Sequence, residues 1–172
     1  MSVEVIIEDA RWDEVGLSEL AVRAWDAVRA HLSLPEGSEI AVLGCNDQRI
    51  AELNSDFRGK PTPTNVLSWP SEERGSTAPG TAPETPQTAD AFGDIAIAYE
   101  TTLREADSGG LSLEKHAIHL LVHGTLHLLG YDHVNDADGD LMESVEAAIL
   151  ADLGIADPYS SGEALPDIDG KE

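Results

Sequence analysis

The sequence predicts an α+β domain of about four strands and four or five helices. Three observations carry that expectation. A chain of 172 residues favours a single hydrophobic core, at roughly 150 residues per domain. Hydrophobic residues make up 41% and charged residues 25%, the balance of a globular chain. Stretches with strand period and stretches with helix period are both present, but they do not alternate strictly as a repeated strand–helix–strand plan would require.

Val3–Ile7 alternates well enough for a first strand. Ser18 can cap a helix that carries Leu20, Ala24, Val28 and Leu32 on one face, closed off by Pro35 and Gly37. Ile40–Leu43 reads as a second strand, and Asn46 or Asp47 starts a short helix through Ile50, Leu53 and Asn54. Thr64–Trp69 reads as a third strand that ends at Pro70. The stretch Ser71–Ala91 is built from Ser, Thr, Ala, Glu and Pro without hydrophobic period. It cannot bury enough apolar surface to offset its ordering entropy, so a mobile insertion between two strands is expected. A partner-binding segment is the functional alternative.

Asp94–Tyr99, with Ile95 and Ile97 alternating, gives a fourth strand that runs into a helix through Leu103. Gly109 and Gly110 break that helix, and Ser112 caps a long one that continues to Leu129, where Gly130 stops it. A last helix covers Ala137–Leu153, with Leu141, Val145, Ala148 and Ile149 inward and Gly154 at its end. The expected layout is one domain over 1–156, with the flexible insertion at 71–91 and an acidic disordered tail over 157–172.

Ten Lys and Arg against 33 Asp and Glu give a net charge of −23. Affinity for bulk nucleic acid comes from displacing counterions with cationic side chains, so general coating of DNA or RNA is excluded, as is adhesion to an anionic membrane. A small local phosphate site is not. Cys45 is alone, which excludes an intrachain disulfide and a cysteine-based metal site. The N-terminal residues lack the basic and apolar regions of a signal peptide, and Ile118–Leu129 is too short to span a bilayer; the expected compartment is the cytoplasm.

Five of the six histidines fall between His116 and His133. His123 and His127 are one turn apart on the expected helix, with Cβ atoms about 5–6 Å apart. That spacing lets two imidazoles meet one ion at about 2.0–2.1 Å. Gly130 ends the helix, and Tyr131-Asp132 turn the chain so that His133 can swing back as a third ligand. His119 extends the stripe, but it lies about 12 Å of helix rise from His127, too far to share an ion with it. It reads as a partner of a ligand imidazole, as a substrate-facing group or as a plain core histidine. His116 is expected to be exposed. Three ligands leave a tetrahedral position open for water, as in catalytic zinc sites. Zn²⁺, one per chain, is the expected ion, with Ni²⁺, copper or iron also suited to imidazole. Gly124 stands where zinc proteases of the H-E-x-x-H type carry their glutamate base, which argues against a peptidase or amidohydrolase.

The run His123-Gly124-Thr125-Leu126-His127-Leu128-Leu129-Gly130-Tyr131-Asp132-His133 resembles the signature of the YbeY family, bacterial metal-dependent endoribonucleases acting in ribosomal RNA maturation. Leu53–Lys60, Pro63–Pro70 and Gly93–Ile97 agree with it, so the likeness spans roughly Ile40 to Gly154. The resemblance implies an α+β fold with a mixed sheet packed by helices, and zinc held by His123, His127 and His133. It implies a single-strand-specific endoribonuclease acting at the 3′ end of small-subunit ribosomal RNA and in ribosome quality control. Its partners would be ribosomal RNA, the small subunit and ribosomal proteins, with no DNA and no membrane. Arg58 matches the family's functional arginine. The insertion at 71–91, the acidic tail and Pro61-Thr62 depart from the family pattern.

Arg58 is also legible without the family. It sits where a helix should give way to a loop containing Gly59, with Lys60 beyond, and a guanidinium fork grips phosphate oxygens bidentately. Both side chains are therefore expected on substrate phosphate, Arg58 with a catalytic share in stabilising the transition state. Across Asn46–Trp69 the cations Arg49, Arg58 and Lys60 balance Asp47, Glu52 and Asp56, a neutral stretch in a strongly negative chain. A surface salt bridge from Arg58 to Asp56 or Glu52 is the plain alternative. Asp132 or His119 is expected to orient a ligand imidazole or relay a proton. The functional alternative is a non-catalytic, zinc-stabilised ribosome-assembly factor whose acidic surface engages basic proteins.

Overall fold

The structure, a computed structural model, describes residues 3–75, 78–133 and 135–159. In chain order the elements are β1 (Val3–Ile7), α1 (Ala10–Val15), α2 (Leu17–Leu32), β2 (Glu39–Cys45), α3 (Asp47–Arg58), β3 (Val66–Pro70), β4 (Ala91–Ala98), α4 (Tyr99–Gly109), α5 (Leu113–Leu128) and α6 (Asp136–Asp152). The strands form one sheet in the order β1-β2-β4-β3. β1 and β4 both run parallel to β2, and β3 runs antiparallel to β4. The sheet is therefore mixed, and the class is α+β as expected.

Six helices flank the sheet among the described residues, against the four or five expected. The additional one, α1, buries only Trp12 among charged neighbours, so it carries no apolar period to read. Gly16 corrects the cap assigned to Ser18: at φ 86 it closes α1 and opens α2, leaving Ser18 inside the helix. The other caps stand as expected. Asn46 accepts from the Arg49 amide and Ser112 from the Lys115 amide, each through its side chain. β4 begins at Ala91, earlier than Asp94, and Tyr99 opens α4 where it was expected to end the strand.

The two-residue period of β4 divides the core. Ile95 and Ile97 face the larger cluster under α2, α5 and α6, whereas Ala96 and Ala98 face a smaller one with Cys45, Ile50 and Leu67 beneath α3. Burial pushes the Cys45 thiol up to about 12, so it packs as an inert small hydrophobe. α5 is buried without a break from His116 to Leu126, and Gly124 lets it approach Ile95, whose side-chain carbons would lie 3.3 Å from a Cβ there. His116 is therefore not exposed. It lies inside, with Nε2 2.9 Å from Glu105 Oε1.

α6 is rotated from the expected face. Met142, Glu146, Ile149 and Leu150 are buried, Leu141 and Val145 are half-buried, and Ala148 is exposed. The inward position goes to Glu146 because its carboxylate finds donors on α5. No described helix is long and apolar enough to cross a membrane.

Gly93 sits opposite Pro70 at φ 143, where a Cβ would collide with the Trp69 carbonyl. Gly93→Ala is expected to destabilise the protein by more than about 2 kcal/mol, because backbone strain and a backbone clash coincide. Urea unfolding followed by circular dichroism measures it.

Candidate metal centre

α5 carries the first two donors. His123 and His127 are one turn apart, and their Nε2 atoms lie 3.0 Å from each other. The edge of a tetrahedron with bonds of 2.0–2.1 Å is about 3.3 Å, so this pair is spaced for one ion. Gly130, at φ 104, turns the chain beyond the helix, and the carbonyl of Arg74 occupies the space a Cβ would need. The returning loop brings the His133 ring within 5.4 Å of His123 and 5.2 Å of His127, centroid to centroid. One nitrogen from each of the three lies within 4.8 Å of the other two.

The donor set fits a borderline-soft transition metal. His133 Nδ1 is buried without a hydrogen-bond partner, an orphan that a cation or its ligand water would satisfy. Burial first, then the charges of neighbouring His123 and His133, holds the pKa of His127 well below the ordinary histidine value. Burial and His123 lower that of His133 in the same way. Both rings are therefore neutral near pH 7, the form that binds metal.

The residue that composition and motif did not single out is Glu146. It is fully buried, and its Oε1 accepts from His123 Nδ1 at 2.7 Å. Oε2 accepts from His119 Nε2 at 2.9 Å and from the Tyr159 hydroxyl at 2.7 Å. Burial alone would raise this carboxyl, but the His123 charge and the hydrogen bonds from His119 and His123 outweigh it and hold the group well below its ordinary value. A carboxylate can only accept, so Nδ1 of His123 carries the proton and Nε2 presents its lone pair to the site. The signal was present in the sequence: Met142, Glu146, Ile149 and Leu150 follow helical spacing, with one acid in an apolar stripe.

The structure sorts the remaining expected residues. His119 is buried between Glu146 and Tyr159, hydrogen-bonded within that network, and is not among the residues that line the groove beside the site. Asp132 is exposed, and its Oδ1 accepts the backbone N–H of His133 in the loop that carries the third imidazole. Arg58 ends α3, with Gly59 at φ 69 as its cap. Arg58, His127 and Asp132 line one groove of about 430 Å³, together with Phe57, Trp69, Tyr131 and Glu73. Lys60 is exposed and lies outside that lining. Glu52 pairs with Arg49 at 3.7 Å, on the side of α3 that also meets Glu8.

The segment expected as an insertion forms part of the groove wall. Arg74 is almost wholly buried and donates to the carbonyls of Leu128 at 3.1 Å and Phe92 at 3.3 Å, and to Ser71 Oγ at 2.9 Å. Its cation thus sits at the C-terminal end of α5, where free carbonyls collect negative charge. A larger hollow of about 760 Å³ lies under residues 72–92 and contains none of the histidines.

A family model described as endoribonuclease YbeY matches residues 3–154. The chain belongs to the YbeY family. It is 58% identical over 163 residues to an endoribonuclease YbeY of Cereibacter sphaeroides, covering 91% of this chain and 98% of that one. It is 51% identical over 160 residues to that of a Jannaschia species, covering 92% of this chain and all of the relative. The solution structure of TM1509 from Thermotoga maritima superposes with a TM-score of 0.56 at 20% identity, over 95% of this chain and 97% of that one, and supports the fold. The YbeY match contains the three site histidines, Glu146 and Arg58, whereas Tyr159 lies beyond it.

Glu146→Gln is expected to weaken binding of a divalent transition metal about 10–100-fold in a chelator competition, with helix content retained, because His123 loses its fixed tautomer. The lowered histidine pKa values also set a pH dependence. Below about pH 6.5 the unfolded chain binds protons that folded His127 and His133 refuse, so the stability of the metal-free protein falls as pH drops from 6.5. Thermal melts of the metal-free protein between pH 7.5 and 5.5 are expected to show that fall, and a shallower one in His127→Gln.

Proposed function

We propose that this chain is a zinc-dependent, single-strand-specific endoribonuclease that matures the 3′ end of small-subunit ribosomal RNA. The observation that carries the proposal is the three-imidazole cluster whose His127 lines a groove that Arg58 also lines. Family membership supports RNA phosphodiester cleavage as the reaction, since the relatives are named for it. Action on the ribosome in the cytoplasm, with ribosomal proteins as neighbours and a part in ribosome quality control, extends the same proposal.

The chain's own residues divide the work. His123, His127 and His133 would hold the ion, which when bound supplies Lewis acidity toward a phosphoryl oxygen. Glu146, with buried His119 and half-buried Tyr159 on its other oxygen, keeps His123 in one tautomer and one orientation. Asp132 holds the backbone that carries His133. Arg58 offers a fixed cation to the phosphate oxygens, where negative charge grows as the bond to phosphorus rearranges. Lys60, outside the groove lining, is left the weaker part of attracting the strand's backbone.

Purified protein is expected to cleave single-stranded RNA, and a chelator is expected to abolish the cleavage reversibly. His127→Ala should lose both stoichiometric zinc and cleavage. Arg58→Ala should keep the zinc and lose about 10²–10³ in kcat. Wild-type turnover in zinc-loaded Arg58→Ala contradicts the role of the arginine. An acidic surface of −23 makes one other outcome informative. Zinc-loaded protein that associates with the small subunit but cleaves nothing would be an assembly factor instead.

A further inference from the structure

Phe57 is the most exposed large hydrophobic side chain among the described residues, at 63%. The other two, Ile6 and Leu111, lie outside the groove beside the histidines. An exposed aromatic ring beside Arg58 and His127 offers an apolar face to whatever enters that groove. Its neighbour is Trp69, with ring centroids 5.2 Å apart and planes at 62°. The chain holds two Phe, three Trp and three Tyr, and Phe57, Trp69 and Tyr131 all line this groove. Trp12, Trp25 and Phe92 are buried in the core.

Trp69 anchors the pair to the core. Trp69 is fixed in β3 opposite Asp94 and packs on the cluster of Cys45, Ile50, Leu67, Ala96 and Ala98. Phe57 occupies the last turn of α3, adjacent in sequence to Arg58. A side Asn54 amide donating to the Thr62 carbonyl at 3.0 Å braces the loop that follows.

We propose that the exposed Phe57 ring, braced edge-to-face by Trp69, is a stacking platform for one nucleobase of the RNA strand, flanking the phosphodiester that Arg58 engages. The proposal rests on the endoribonuclease function above and adds the element that recognises the base. Aromatic faces accept any base, so the platform is indifferent to sequence, and it admits a base only when that base is unstacked. It therefore selects single strands over duplex. It also answers the charge of the chain. With −23 overall, release of counterions from phosphate contributes little to affinity, whereas stacking is insensitive to salt.

The test uses tryptophan emission, because Trp12 and Trp25 are buried at 0% and 1% exposure while Trp69 borders the groove. A single-stranded RNA octamer is titrated into the chelator-treated protein, and cleavage of the same octamer is measured with zinc restored. Saturable quenching is expected, absent in Trp69→Leu. Phe57→Ala should weaken binding about tenfold and raise KM by a similar factor with little change in kcat, while Phe57→Tyr restores both. Quenching that Phe57→Ala leaves unchanged, or Trp69 emission indifferent to RNA, overturns the platform; zinc-dependent cleavage by the wild type would then leave the proposed function standing. Intact, Phe57-dependent quenching without any zinc-dependent cleavage strikes the proposed function and upholds the platform.

Discussion

The contact between Glu146 and His123, 2.7 Å long and fully buried, is the constraint on which the site depends. An ionised carboxylate in the interior is costly unless donors surround it. Here His123, His119 and the Tyr159 hydroxyl supply three. Each donor is itself constrained in return. His119 is kept neutral by burial, against the pull of Glu146, and burial with the Glu146 charge raises the Tyr159 phenol so that it remains a donor. The network locks α6 to α5 with a polar contact inside an otherwise apolar layer, and it aims one nitrogen of His123 at its two neighbours.

From that contact the geometry propagates outward. α5 must stay straight and close to β4 to bring His123 and His127 into line, and Gly124 beside Ile95 permits the approach. The helix must also stop on time, because His133 can only return after Gly130 turns the chain. Arg74 secures that end: its guanidinium occupies the terminal carbonyl of Leu128 and stands over the Phe92 ring at 5.0 Å. The segment that follows β3 is thus tied to the C-terminal end of α5 by a buried cation.

Much of this was legible in the sequence, for identifiable reasons. The caps at Asn46 and Ser112 and the stops at Gly59 and Gly130 are local hydrogen-bond and backbone requirements, so they read directly. The histidine spacing reads because it depends only on helical rise. α1 did not read, since six residues with one buried tryptophan carry no period. The burial of His116 and Glu146 is not legible because a polar side chain ordinarily reads as exposed. His116 Nε2 pairs with Glu105 and the Glu146 carboxylate accepts from donors on other elements, and such pairings are visible only once the elements are packed. The surroundings of His119 and Asp132 likewise depend on a neighbour 27 residues away and on a backbone amide next door.

X-ray absorption at the zinc edge tests the central claim most directly, using protein loaded with one equivalent of the metal. The account predicts one ion per chain with three imidazole nitrogens at about 2.0–2.1 Å and one lighter oxygen ligand. Fewer than three imidazoles, or zinc that spreads over several carboxylate-rich sites without saturating at one equivalent, would contradict it.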